Sequence, residues 1–150
     1  MQAHLASLFP DGVTHHGDQY FVTENRALDT SAAIELLFEM VRRADFVERP
    51  SRYQSFFAAT DVDHARAFGR TYGHGRPFSI WEVEASEGFE ADMNLITTAA
   101  RFSSLGMSLR AADYWAGRTS PGSPLLEVLL KPPVRVVEQV EEWDYQPLGD

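Results

Sequence analysis

Residues 123–140, SPLLEVLLKPPVRVVEQV, decide how the chain is read. Leu125, Leu126, Val128, Leu129 and Leu130 form a continuous apolar run, the signature of a buried strand, with Glu127 at its middle. Strand side chains alternate between faces, so Glu127 shares a face with Leu125 and Leu129. A carboxylate in such a run needs a partner, a cavity or a chemical task, because burying it unpaired costs several kcal/mol or more. Two readings stand side by side: an edge-strand Glu that faces solvent or is held by an arginine, and a functional acid. Pro132 and Pro133 then interrupt the run, and VRVVEQV reads as a second strand.

Working outward, short strands dominate. Residues 1–18 form a half-helical lead-in broken by Pro10, Asp11 and Gly12, and Gln19 to Thr23 (QYFVT) is β-prone. Asp29, Thr30 and Ser31 are N-cap types ahead of a helix to about Phe46, with Ile34, Leu37, Phe38 and Val41 at helical spacing. Pro50 drives Arg49 out of helix geometry, and Ser55 to Ala59 (SFFAA) reads as a central strand. Thr60 or Asp61 caps a second helix, Val62 to Arg70. Phe78 to Glu84 (FSIWEVE) is a strand with Phe78, Ile80 and Glu82 on one face and Trp81 and Val83 on the other. FEADMNLI (89–96) is a further strand or a strand entering a loop, Thr98 to Leu109 is ambiguous, and Ser108 to Trp115 is a short helix. Gly117 to Pro124 is a loop. The expected class is α+β, one domain over residues 1–150, built on mostly antiparallel sheet.

Composition narrows the function. The 150 residues are 44% hydrophobic, with ten Phe, five Tyr and three Trp, enough for one core. A formal net charge of -9 opposes nonspecific binding to nucleic acid or anionic membrane, although a local basic cleft is compatible with it. The absence of cysteine removes disulfides, thiolate metal sites and cysteine nucleophiles, and fits a reducing cytoplasm. The N-terminus has no signal-peptide pattern, and no apolar run reaches the ~20 residues of a membrane span. The expectation is a cytoplasmic protein with no membrane partner.

Candidate chemistry is sparse. His15 and His16 are adjacent and on a strand face opposite ways; there is no HExxH and no Cys ligand, so no metal site is expected. No GxSxG elbow is present, and Gly69, Gly73 and Gly75 do not follow a strand and open a helix as a phosphate cradle must. Glu82, Glu84, Asp92 and Glu127 can supply a glycosidase carboxylate pair, without a geometry to choose one.

Three segments taken in order resemble the ADP-ribosyltransferase superfamily. SFFAATDVDHARAFG (55–69) is similar to its middle aromatic strand and following helix, FSIWEVEASEGFEADMNLI (78–96) to the next strand and turn, and SPLLEVLLKPPVRVVEQV to its Glu-bearing strand, turn and last strand. FEMVRRADFVERPSRYQSFFA (38–58) and ADMNLI (91–96) resemble a small bacterial group of the same fold. The resemblance implies a split β-sandwich of two small, mostly antiparallel sheets with two or three helices, and NAD as co-substrate.

By the same resemblance, Glu127 matches the catalytic Glu that binds ribose hydroxyls and steadies an oxocarbenium-like transition state. Phe57 falls near the aromatic that stacks on nicotinamide, with core packing as its other reading. Ser55 and Thr60 are candidates for the polar motif that braces the Glu or the ribose, and capping a helix is the alternative duty of Thr60. Arg52 suits the cofactor's pyrophosphate, or else a salt bridge. Tyr114 and Trp115, beside the loop that faces the target, stack on a substrate or belong to the core. His16, followed by Gly17, or Arg26 fills the first-motif position. Leu125 stands where arginine-modifying members carry Glu or Gln, so a nucleobase, small molecule or hydroxyl acceptor fits better than a protein arginine. The implied activity is mono-ADP-ribosyl transfer, in a toxin, counter-defence or resistance role with an antitoxin or inhibitor as partner. NAD glycohydrolysis and a non-catalytic binding module are the alternatives.

Overall fold

The computed structural model describes residues 2–23, 29–73, 75–96 and 103–144. Its α-helices are α1 (Gln2–Leu8), α2 (His15–Gly17), α3 (Thr30–Asp45), α4 (Val62–Tyr72) and α5 (Ser104–Trp115). Its strands are β1 (Phe56–Ala58), β2 (Phe78–Ala85), β3 (Gly88–Asp92), β4 (Leu126–Leu130) and β5 (Val134–Trp143). The class is α+β, with more helix than the two or three segments expected.

Two small antiparallel sheets are present, ordered β1-β4-β3 and β2-β5. They form from one long ribbon, because β2 continues into β3 and β4 into β5, with β2 paired to β5 and β3 to β4. Both chains of the ribbon change sheet together, at residues 86–87 and 131–133. There Lys131 N–H donates to the Glu87 carbonyl at 3.1 Å, while Pro132 and Pro133 have no N–H to offer a ladder. The expected break in 123–140 is thus the point where one sheet hands over to the other.

β4 is the centre of its sheet, and the alternation read from its sequence holds: Glu127 and Leu129 are buried, and Leu126, Val128 and Leu130 are half-buried. Leu129 lies opposite Phe57 on one side and Phe89 on the other. This face packs with α3 and α5 around Phe38, Phe89, Ala91, Leu95, Met107, Ala111, Tyr114, Trp115 and Leu129. The Trp115 indole N–H donates to the Phe38 carbonyl at 2.8 Å and ties the two helices together.

The caps follow the sequence closely. Asp29 accepts from Ala32 N at the start of α3, and Ser103 accepts from Gly106 N at the start of α5. At α4 the cap is Asp61, which accepts from His64 N; Thr60 bonds only the Asp61 carboxylate, at 3.4 Å. The left-handed Gly117 (φ 72°) then ends α5.

Three local expectations are corrected. SFFAA is not a central strand: β1 is a short edge of the order β1-β4-β3, with β4 in the middle. QYFVT does not form a strand: Asp18–Val22 is a π-helical turn continuing from α2. Its β-prone side chains are used for ring packing, with Phe21 against Phe9 and Tyr53 at 5.4 and 5.1 Å. The faces of β2 also differ from a simple alternation. Register shifts between Ile80 and Trp81 and between Glu82 and Val83 swing the ribbon, so Phe78, Ile80 and Val83 are half-buried while Trp81 and Glu82 are exposed. The near end of this ribbon rests on α4: Gly69 lies under the Phe78 ring, which stacks on Trp143 at 5.7 Å.

Candidate active site around Glu127

The candidate site begins with the register of β4. Glu127 lies opposite Ala91 of β3 and points toward α3 and α5. It is only 5% exposed on a central strand, so it is neither an edge-strand nor a solvent-facing acid, while the alternative of a Glu held by an arginine describes its contact with Arg52. Its partners come from two other elements. Tyr114 of α5 donates its hydroxyl to Glu127 Oε1 at 2.7 Å. Arg52 donates from Nη1 to the same oxygen, and also to Tyr114 Oη at 2.5 Å. Both bonds therefore fall on Oε1; among the described residues, Oε2 accepts none.

Arg52 reaches this position because a 3-10 turn, Arg52–Gln54, follows Pro50 and is capped by Ser51, whose Oγ accepts from Tyr53 N. Ser51 is in turn anchored to α3: its hydroxyl donates to Glu39 Oε2 at 2.8 Å. Glu39 also takes both Arg42 and Arg43, and Arg42 reaches the Arg49 carbonyl at 3.0 Å. One helical turn before Glu39, Glu35 holds Arg52 directly, with Oε2 accepting from Nε at 2.8 Å and Oε1 from Nη2 at 3.1 Å. The i, i+4 spacing puts both acids on one side of α3, facing the 47–54 segment.

His16 completes the cluster. Its Nε2 lies 3.1 Å from Glu35 Oε1, and its ring centroid is 4.6 Å from that of Tyr20 and 4.8 Å from that of Phe57. Gly17 permits this approach. A Cβ there would stand 2.3 Å from the Tyr53 carbonyl oxygen, and that carbonyl accepts from Thr14 N at 2.9 Å.

The electrostatics are those of a shared cation. Burial opposes ionisation of Glu35, yet the Arg52 guanidinium and the His16 contact bring its carboxyl down to about 2. Burial likewise opposes the charge on Arg52, and Glu127, Tyr114 and Glu35 outweigh it and hold the guanidinium firmly protonated. The Tyr114 hydroxyl is pushed up, by burial first and then by Glu127 against Arg52. It is therefore a donor at neutral pH.

Of the residues singled out in the sequence, Glu127, Arg52, Tyr114, His16 and Phe57 meet here. Phe57 is half-buried on the face of Leu129, with the Arg52 guanidinium 4.8 Å over its ring. Arg52, expected on a pyrophosphate, is 4% exposed and spends its donors on Glu35, Glu127 and Tyr114. The salt-bridge alternative describes its contacts. Ser55 is buried just before β1 and donates to the Ser51 carbonyl at 2.7 Å, so it braces the turn and makes no contact with Glu127. Thr60 is exposed at the start of α4.

Trp115 and Tyr114 are both 0% exposed. Trp115 is a core residue, its ring stacked near Phe89, and it presents no face to a substrate. Arg26 lies outside the described residues. Glu35 and Tyr53 were not picked out from the sequence. The signal for Glu35 was its spacing from Glu39 beside an apolar helix face. Among the described residues no three His, Asp or Glu side chains are grouped to hold a metal ion. No described helix is long and apolar enough to cross a membrane.

Residues 8–142 match a family described as a protein of unknown function (DUF2441), and the chain belongs to that family. No curated protein matches the chain.

Proposed function

We propose that the chain cleaves NAD at the nicotinamide-ribose bond and transfers ADP-ribose to an acceptor, with Glu127 as the charge beside the reacting carbon. One observation carries the reading: Glu127 is anchored through Oε1 alone, by Tyr114 and Arg52, while Oε2 accepts no bond from the described residues. A carboxylate fixed by one oxygen keeps the other for a ligand hydroxyl, and its orientation is set before any ligand arrives. The two small antiparallel sheets and the order of the three resembling segments support the same reading.

In the reaction, the bond between ribose C1′ and the pyridinium nitrogen breaks and its electron pair leaves with nicotinamide. An acceptor oxygen or nitrogen bonds C1′ and gives up its proton. Glu127 supplies a fixed negative charge where positive charge develops, an effect magnified where water is scarce. Phe57 and His16, both half-buried and in ring contact, would bind the nicotinamide and ribose end on this reading. Arg52 acts by holding Glu127, and the pyrophosphate role is not assigned to it. Leu125, half-buried and apolar two residues before Glu127, favours a nucleobase, small-molecule or hydroxyl acceptor over a protein arginine.

A second reading, a non-catalytic module of the same shape, is favoured by the depth of the Arg52–Glu127 pair, 4% and 5% exposed. Nicotinamide release from NAD by wild type and Glu127→Gln, with and without cell lysate, separates the two. The near-isosteric change should leave folding intact and lower release by roughly 100-fold or more, the scale of removing a preorganised electrostatic group. Release by wild type without lysate, yielding free ADP-ribose, identifies a glycohydrolase; dependence on lysate identifies transfer. No release, and no rise in Tm with millimolar NAD, rejects the enzyme in favour of the module.

A further inference from the structure

Resting on the reading of Glu127 as the charge beside the ribose, we propose that Glu35 is a positioning residue that keeps the second oxygen of Glu127 free. Arginine offers five N–H donors on a rigid plane, and its strongest pairing with a carboxylate is the two-bond fork. In this chain that fork is not given to Glu127. Glu35 takes Nε and Nη2, at 2.8 and 3.1 Å, which leaves Nη1 to meet Glu127 Oε1 and Tyr114 Oη. Arg52 thus stands between two carboxylates, one held with two bonds and the other with one.

The consequence concerns competition for one cation. Glu35 sits on α3, is 7% exposed, and is linked to Glu127 by hydrogen bonds through Arg52. Remove its charge and the guanidinium is free to turn its paired nitrogens onto Glu127, engaging both oxygens. Glu127 would then be better paired and less available. Glu35 therefore acts by limiting how fully Arg52 pairs with Glu127, where a residue that merely strengthens the site would tighten that pairing.

Glu35→Gln and Glu35→Asp test this against wild type, by steady-state nicotinamide release and by crystal structures. Gln keeps the shape without the charge. Asp keeps the charge but is one carbon too short to reach both Arg52 nitrogens, and it serves if the Gln variant does not fold. Each folded variant should lose at least about tenfold in kcat with KM within about threefold of wild type, a split that general loosening of the fold would not give. In the crystals a second Arg52 nitrogen should lie within hydrogen-bond distance of Glu127 Oε2. A kcat within threefold of wild type, or an Arg52 that stays in place with Oε2 free, overturns the inference. A wild-type protein that releases no nicotinamide defeats the NAD reading instead, and the crystal comparison still decides whether Glu35 controls the pairing.

Discussion

Replacing Arg52 by methionine removes the one cation shared by two buried carboxylates while keeping most of the hydrocarbon volume. Its cost can be worked from Glu35. The carboxyl is lowered from 4.5 to about 2 in the folded protein, which corresponds to roughly 3 kcal/mol of stability at neutral pH. That agrees with the ~3–5 kcal/mol generally lost when one partner of a buried ion pair is removed. At ~2–4 °C per kcal/mol for a chain of this size, Tm should fall by roughly 6–20 °C at pH 7.

The pH dependence of Arg52→Met gives the sharper signature. In wild type the Glu35 term is present above its unfolded value of 4.5 and is lost as pH falls toward about 2. Without Arg52, burial raises the folded pKa of Glu35, the folded state binds the extra proton, and stability increases as pH decreases. The deficit of Arg52→Met relative to wild type should therefore narrow between pH 7 and pH 5. Urea and thermal unfolding of both proteins at the two pH values measure it. A deficit below about 1 kcal/mol at pH 7, or one equal at pH 5 and pH 7, refutes the charge-sharing account.

Asp92 is 0% exposed and accepts from Asn94 N, Leu125 N, Ser120 N and Ser120 Oγ at 2.9, 2.9, 2.8 and 2.6 Å. Asp92→Asn turns one acceptor into a donor facing donors and should cost about 2–4 kcal/mol. Burial opposes ionisation of Asp92, and the Ser120, Asn94 and Leu125 bonds lower its pKa below 3.8. Wild type alone should therefore lose this term as pH drops below that value, and urea titrations at pH 3 and pH 6 would reveal a variant that behaves the same. Gly17 has helical φ and ψ of −64° and −37°, so alanine there is penalised only by contact. With a Cβ 2.3 Å from the Tyr53 carbonyl oxygen, Gly17→Ala should lose ~1–3 kcal/mol by overpacking, and a Tm within a degree of wild type would contradict the close packing of α2 on the 52–54 turn.

What could be read from the sequence was what depends on near neighbours. The apolar run of 125–130, the Pro132–Pro133 break and the caps at Asp29 and Asp61 each carry a local physical signal, and each element formed where that signal lay. The β2 faces did not follow, because the two register shifts belong to its pairing with β5, a strand far away in the chain. QYFVT was misread for a related reason. Its β-branched and aromatic residues favour a strand only when a partner strand exists, and Phe21 finds rings to pack on at Phe9 and Tyr53 instead. Trp115 could have been placed in the core: Met107, Ala111 and Tyr114 recur at helical spacing and Trp115 widens the same stripe, all of them buried.

The site was legible as residue types but not as partnerships. Glu127 and Arg52 stood out individually, while their pairing spans 75 residues, and an acid such as Glu35 on a helix is ordinarily a solvated side chain. Once the pairs are seen, the two acids of α3 differ in a telling way. Glu39 is saturated, its oxygens taking Arg42 twice, Arg43 and Ser51, as a scaffold contact requires. The Glu35 side of the helix is unfinished. The Tyr53 hydroxyl and Arg49 Nε are buried polar atoms without a hydrogen-bond partner among the described residues, and His16 Nε2 meets Glu35 Oε1 at 3.1 Å as a contact that is not an aligned hydrogen bond. Leaving a buried polar atom unbonded costs ~1–3 kcal/mol, and a purely structural network gains nothing from it. Stability alone explains the Glu39 cluster; on the proposed reading, it is the unbonded Oε2 of Glu127 that a ligand hydroxyl would meet.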